Sequence, residues 1–300
     1  RYITHAREVT RDIHIEEVKP KRDAIYDLCT KYRISKLGFD GSHVPYNVFK
    51  SWAENLVGIS LVPMNNAIEE IRRAKEPEEI AAIMAAIDAA TRAFTDVLGL
   101  VKPGSTEKEI ADELDHAMRK RGAQGPSFET IVASGPRGAL PHAEPSDRKL
   151  EEGETVIIDY GAAVAGYCSD ETVTVCLGEI PDKLSEIYAI VNDARKLGIE
   201  KARAGTSIAQ LDSIVRGYIE EHGYGDCFRH GLGHGVGIAV HEAPGINSVA
   251  RGVLEENMVV TIEPGIYLPN IGGVRLEDMV LITEDSPRVL THIRKDMLRM

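Results

Sequence analysis

Four carboxylates stand where the chain's pattern asks for apolar side chains. Asp159 ends the run Val156-Ile157-Ile158, and Asp170 comes just before Thr172-Val173-Thr174-Val175. Glu263 ends Val259-Val260-Thr261-Ile262, and Glu277 falls inside Val274-Arg275-Leu276-Glu277-Asp278-Met279-Val280. Strand alternation turns Glu277 to the same side as Arg275. A carboxylate entering buried sheet is costly unless it is paired or metal-bound, so four of them need a common compensating charge. Hard divalent cations supply one, and two metals sharing bridging carboxylates would use all four. Between the second and third carboxylates, residues 230–242 hold three histidines (His230, His234, His241) and four glycines. Glycine permits close backbone approach, and imidazole suits Mn, Co, Fe or Zn. This is not a helical HExxH zinc motif, because Gly and β-branched residues break the helix. Singly, each residue has a plainer reading. Asp159 or Asp170 could cap a turn, Glu263 could open the turn at Pro264-Gly265, and Arg275 with Glu277 could be a surface ion pair. Their coincidence favours a metal site.

The elements that must hold these residues are an α+β set with a mostly antiparallel sheet. Strands are predicted at 129–133, 155–159, 172–177, 258–262 and 274–282, each short, β-branched and bounded by Gly or Pro. A loop through Gly161 to Gly166 would place Asp159 and Asp170 on neighbouring strands. Helices are predicted from Pro77 to Leu98, stopped by Gly99, and over 182–197. Two further helices echo each other: one starts after Gly104 and ends at Gly122, the other starts after Gly205 and ends at Gly223. Both carry a capping-box pattern, Thr106 with Glu109 and Ser207 with Gln210. Equal lengths and matched openings indicate a duplicated half-domain. Before them, a helix over 19–32 and strands at 34–39 and 58–62 read as the remainder of a small α/β domain. The charge-dense stretch 68–79 sets the boundary: 1–71 as partial amino-terminal domain plus linker, 72–300 as the main domain.

With 43% apolar and 27% charged residues, the chain is neither disordered nor fibrous. A net charge of -12 counts against nucleic acid as a partner, and no apolar run is long enough for a membrane. Cys29, Cys168, Cys176 and Cys227 are far apart and form no CxxC pair, which fits a reducing cytoplasm rather than a disulfide-stapled fold. The chain opens Arg-Tyr-Ile-Thr, without an initiator Met or a signal peptide, and reads as a fragment.

The runs Asp159-Tyr160-Gly161, Ser169-Asp170-Glu171-Thr172, His230 to Gly237, Val240-His241-Glu242, Glu263-Pro264-Gly265 and Arg275-Leu276-Glu277-Asp278 resemble those of the Xaa-Pro peptidases. These are prolidase and aminopeptidase P, pita-bread metallopeptidases, and the likeness spans residues 72 to 295. The resemblance implies a pita-bread fold of two pseudo-twofold half-domains. It also implies a dinuclear site with Asp159, Asp170, His234, Glu263 and Glu277 as ligands, manganese first among the metals and cobalt, zinc or iron as alternatives. His142, His241 and Glu263 would then be catalytic, with Glu263 as proton shuttle, while His230 and Arg275 would bind substrate. One departure is Val173, where members of the family often carry Arg; it touches no ligand position.

The expected activity is metal-dependent hydrolysis of Xaa-Pro bonds, as a dipeptidase or alternatively as an aminopeptidase on longer peptides. The substrate would be a small peptide with proline second, and a homodimer is implied. A non-catalytic pita-bread interaction protein is the remaining alternative. Creatine-hydrolysing relatives lack a full ligand set, and methionine aminopeptidases lack a domain before residue 72.

Overall fold

The computed structural model describes residues 2–10, 12–18 and 21–300. The chain divides after Glu70 into two compact units. The first contains α1 (Ile3–Val9), α2 (Lys21–Lys31), β1 (Lys36–Phe39), α3 (Tyr46–Asn55) and β2 (Ser60–Pro63), with α4 (Ala67–Ile71) at its end. Lys19 and Pro20, the predicted start of α2, lie outside the described residues. β1 and β2 pair in parallel, and α3 connects them, which is the small α/β unit expected.

The second unit begins with α5 (Pro77–Val97), α6 (Glu107–Lys120), β3 (Gly125–Pro126) and β4 (Ile131–Ser134). There follow β5 (Thr155–Tyr160), β6 (Ala162–Val164), β7 (Tyr167–Cys168) and β8 (Glu171–Cys176). A second pair of helices comes next, α7 (Asp182–Lys201) and α8 (Ile208–Glu221), then β9 (Gly233–Gly235), β10 (Glu242–Ile246) and β11 (Val259–Ile262). The chain closes with β12 (Gly265–Leu268), β13 (Gly272–Arg275), β14 (Asp278–Leu281), β15 (Arg288–Val289) and β16 (Leu298–Arg299). One sheet runs β16-β8-β5-β4 and another β10-β9-β11-β14-β15. All of their pairings are antiparallel except β16 with β8.

Each sheet is backed by its own long-short helix pair. Ile110, Leu114 and Met118 of α6 bury with Val156, Ile158, Val173 and Val175 of the first sheet. Leu211, Val215 and Ile219 of α8 bury with Val260, Ile262 and Val280 of the second. Val173 faces this first core, 3% exposed and opposite Ile158, while Thr172 and Thr174 beside it face the other way. The departure from the family pattern is therefore a core residue.

The duplication seen in the helix lengths extends to the backbone. Gly104 N donates to Leu150 O and Leu150 N to Ser105 O at 2.9 and 2.8 Å; Gly205 N donates to Leu254 O and Leu254 N to Thr206 O at 2.8 and 2.9 Å. Both helices end on a glycine with positive φ, Gly122 at 97° and Gly223 at 84°, a conformation that admits no Cβ cheaply. The caps differ. Thr106 accepts from Glu109 N at 3.1 Å and Glu109 returns a bond to Thr106 N, whereas Ser207 accepts from Gln210 N at 3.5 Å and Gln210 does not reciprocate. Only one of the two predicted capping boxes forms. Thr106→Ala should accordingly cost about 1 kcal/mol in urea unfolding, and Ser207→Ala clearly less.

Three local expectations are corrected. Gly99 does not stop α5 outright, because the chain tightens there into a 3-10 turn over Leu98–Leu100. The loop between Asp159 and Asp170 is itself a hairpin, β6 with β7. The single strand expected over 274–282 is two: β13 pairs with β12, β14 pairs with β11, and Leu276-Glu277 forms the break.

Candidate metal centre

That break places Glu277. Its backbone N donates to Thr172 O at 3.1 Å, and its Oε2 accepts from Thr172 Oγ1 at 2.7 Å. On β5, Asp159 lies directly opposite Thr172 of β8, with Asp170 just before that strand. On the other side, His234 sits mid-strand on β9 and Glu263 follows β11. Thr261 joins these two: its hydroxyl accepts from His234 N at 3.0 Å and donates to Glu263 Oε1 at 3.3 Å. Gly233 and Gly235 allow this approach, since a Cβ on either would meet Thr261 O at 2.0 Å or Ala243 O at 2.4 Å.

Asp159, Asp170, His230, His234, His241, Glu263, Arg275 and Glu277 all line one cavity of about 670 Å³, and His142 lines it too. His142 and His241 are exposed at it, while Asp170, Arg275 and Glu277 are buried. Donor atoms of Asp170, His234 and Glu277 all lie within 4.8 Å of one another. His234 Nε2 is 3.5 Å from Asp170 Oδ2 and 3.4 Å from Glu263 Oε1. The Gly235 carbonyl, 3.1 Å from Nδ1, accepts the ring proton there, so Nε2 turns its lone pair toward the carboxylates.

A lone pair facing carboxylates is repulsive without a cation between them. In an all-protein environment burial pushes Glu263 up to about 8. Burial, reinforced by repulsion among the neighbouring carboxylates, also holds Asp170 and Glu277 well above the usual carboxylate range. Burial, with His241 beside it, lowers His234 to about 4, so the ring is a neutral donor. Asp159 Oδ1 is buried with no hydrogen-bond partner. Four oxygen donors and one imidazole converging in this way fit two divalent cations.

Arg275 completes the site. Its Nη2 donates to Asp159 Oδ2 at 2.7 Å, Nε to Thr172 Oγ1 at 3.2 Å, and Nη1 to Pro141 O at 3.0 Å and Tyr267 Oη at 2.9 Å. It is therefore not the surface partner of Glu277. Tyr267 Oη lies 2.8 Å from His230 Nε2, and His230 Nδ1 lies 2.8 Å from Gly231 O. Proton placement follows: His230 gives Nδ1–H to Gly231, Tyr267 gives its proton to His230, and Arg275 donates to Tyr267. Burial, with Arg275 nearby, lowers His230 to about 4, consistent with a neutral ring.

Tyr267 and Thr261 were not among the residues singled out from the sequence. The signal for Tyr267 was available, since alternation along Glu263-Pro264-Gly265-Ile266-Tyr267 returns position 267 to the face of 263.

Comparison with known proteins identifies the family. Residues 81–284 match the model of metallopeptidase family M24, and residues 1–74 match the creatinase/prolidase N-terminal domain. The chain is 41% identical to an Xaa-Pro dipeptidase of Pyrococcus furiosus, over 93% of this chain and 79% of that one. Among solved structures, an Xaa-Pro dipeptidase from Bacillus anthracis superposes with TM-score 0.96 at 38% identity, covering 100% of this chain and 84% of the other. An X-Pro aminopeptidase from Thermotoga maritima gives 0.94 at 36% identity, covering 100% and 83%. Sequence motifs, repeated halves and donor cluster thus lead to one assignment, and the chain belongs to metallopeptidase family M24, among its pita-bread Xaa-Pro peptidases.

Proposed function

We propose that this chain hydrolyses the Xaa-Pro bond of short peptides with two divalent metal ions, acting as an Xaa-Pro dipeptidase. The observation that carries the reading is the convergence of Asp159, Asp170, His234, Glu263 and Glu277 at one cavity whose remaining lining offers proton donors. These five side chains would hold the ions, and manganese suits their mix of oxygen and imidazole. When bound, the ions lower the pKa of water and polarise the scissile carbonyl.

The chain's own residues do the rest. Glu263, beside His234, takes a proton from the attacking water and returns it to the leaving nitrogen. His241, whose ring centre is 4.2 Å from that of His234, and His142 donate hydrogen bonds to the oxygen that gains charge. His230 and Arg275 shape the wall against which substrate packs, their polar atoms being engaged largely within the protein, and Arg275 also fixes Asp159. A prolyl amide nitrogen carries no proton, so shape and a proton donor must recognise it. Tyr267→Phe removes the acceptor of one Arg275 bond and should lower activity about 10–100-fold, measurable as kcat with metal content checked in parallel.

One observation favours aminopeptidase action on longer peptides as a second reading. Among the described lining residues Arg275 is the only Lys or Arg, and four of its bonds are already made within the protein. The terminal carboxylate of a dipeptide would be left to histidines. Hydrolysis of Ala-Pro and Ala-Pro-Ala by chelator-stripped protein, with and without Mn(II), decides. Metal-restored cleavage of Ala-Pro alone supports the dipeptidase, and preference for the tripeptide supports the aminopeptidase. Cleavage of neither, with metal bound, sinks the Xaa-Pro reading.

No helix among the described residues is long and apolar enough to cross a membrane. Four free cysteines support placement in the cytoplasm, and family resemblance supports a homodimer.

A further inference from the structure

His241 needs a fixed direction to reach the cavity, and its neighbour in sequence supplies one. Glu242 opens β10, and its side chain turns away from the cavity into the protein, 5% exposed. There it lies under the turn at Gly237 to Ala239. A Cβ on Gly237 would meet Glu242 Oε1 at 2.4 Å, and Ala239 N is 3.5 Å from Oε2. His241 occupies the bend immediately before β10, so whatever anchors the Glu242 side chain inward also anchors the backbone from which His241 reaches over the His234 ring.

Two cations hold it. Lys75 Nζ, 1% exposed, donates to Glu242 Oε1 at 2.7 Å and to Arg73 O at 3.0 Å, and Arg72 Nη2 donates to Oε2. Both come from the segment just before α5, which is stitched to the start of the strand leading to Glu263. Lys75 N donates to Asn257 O at 2.9 Å, and Ala74 bridges Met258. We propose that Lys75 is a positioning residue: by clamping Glu242 it fixes His241 beside the metal-binding histidine. This role rests on the peptidase reading above. A buried carboxylate also needs a cation for stability alone, so the test must separate the two roles.

Lys75→Met, Lys75→Arg and the apolar pair Lys75→Met/Glu242→Met serve, each assayed on the better of the two peptides. With positioning, Lys75→Met lowers kcat about 100-fold while KM and bound manganese stay near wild type. Lys75→Arg recovers part of the loss. The apolar pair restores melting temperature but not kcat, and it also answers if the single variant fails to fold. A readout independent of catalysis is the His241 imidazole NMR signal of the chelator-stripped protein, identified by its loss in His241→Asn. It should be single in wild type and broadened or multiple in Lys75→Met. Wild-type kcat with an unchanged His241 signal in Lys75→Met would overturn the proposal, as would the apolar pair recovering kcat along with stability. If wild type cleaves no Xaa-Pro peptide, the peptidase reading fails, and the His241 signal still judges the clamp.

Discussion

Glu263→Gln is expected to lower kcat about 10²–10⁴-fold, the range for removing a positioned general acid–base group. The amide keeps the shape and the Thr261 contact but cannot carry a proton between water and the leaving nitrogen. It also removes one negative charge from a set of four, so bound metal should fall with it. Measuring turnover per metal-loaded molecule isolates the first effect from the second. If the variant held its full complement of manganese and turned over at the wild-type rate, the shuttle would have to be another group. His241 and His142 would be the next to test.

Lys295→Met carries the largest expected effect on stability. Lys295 is 4% exposed and Glu171 is 2% exposed, and the ammonium donates directly to Glu171 Oε1. Tyr160 Oη adds a second, longer bond at 3.3 Å to Oε2. Removing the cation leaves a buried carboxylate next to Asp170 with that one donor. The expected cost is about 3–5 kcal/mol, read as a lower urea midpoint with an unchanged slope. Adding Glu171→Leu should recover most of the loss, because an apolar pair no longer needs compensation. A single variant as stable as wild type would show that water or another cation reaches Glu171.

The four carboxylates as a group and the repeated helices were legible because both leave local marks, whereas the choice of His234 from its histidine-rich run, and so the five-ligand set, came from the family resemblance. A carboxylate at the end of an apolar run is anomalous where it stands, and helix starts and stops are written in single residues such as Thr106 and Gly122. What was not legible depends on partners distant in sequence. Residues 274–277 alternate apolar with charged and 279–282 are apolar, so the whole stretch reads as one strand; only pairing with β12 on one side and β11 on the other splits it. Glu242 looked like part of a histidine motif, and its partner Lys75 lies 167 residues earlier in a stretch that reads as a charged linker. Arg275 and Glu277 read equally well as a surface pair until the fold buries both. Tyr267 fell outside every predicted strand, so the alternation that returns it to the face of Glu263 went unread until β12 was seen.

The division of the donors between the repeated halves has a thermodynamic consequence. Asp159 and Asp170 come from the half built on α5 and α6, and His234, Glu263 and Glu277 from the half built on α7 and α8. An ion held by both sets binds the native chain and not the unfolded one, so its free concentration enters the folding equilibrium. At 100 times the dissociation constant the linkage is worth about 2.7 kcal/mol per ion. Chelator-stripped protein should therefore melt at a lower temperature than loaded protein, with a midpoint that climbs with the logarithm of free manganese. A variant lacking one ligand should climb less steeply. The unfolding curve of this protein is then also a metal titration, readable without any peptide present.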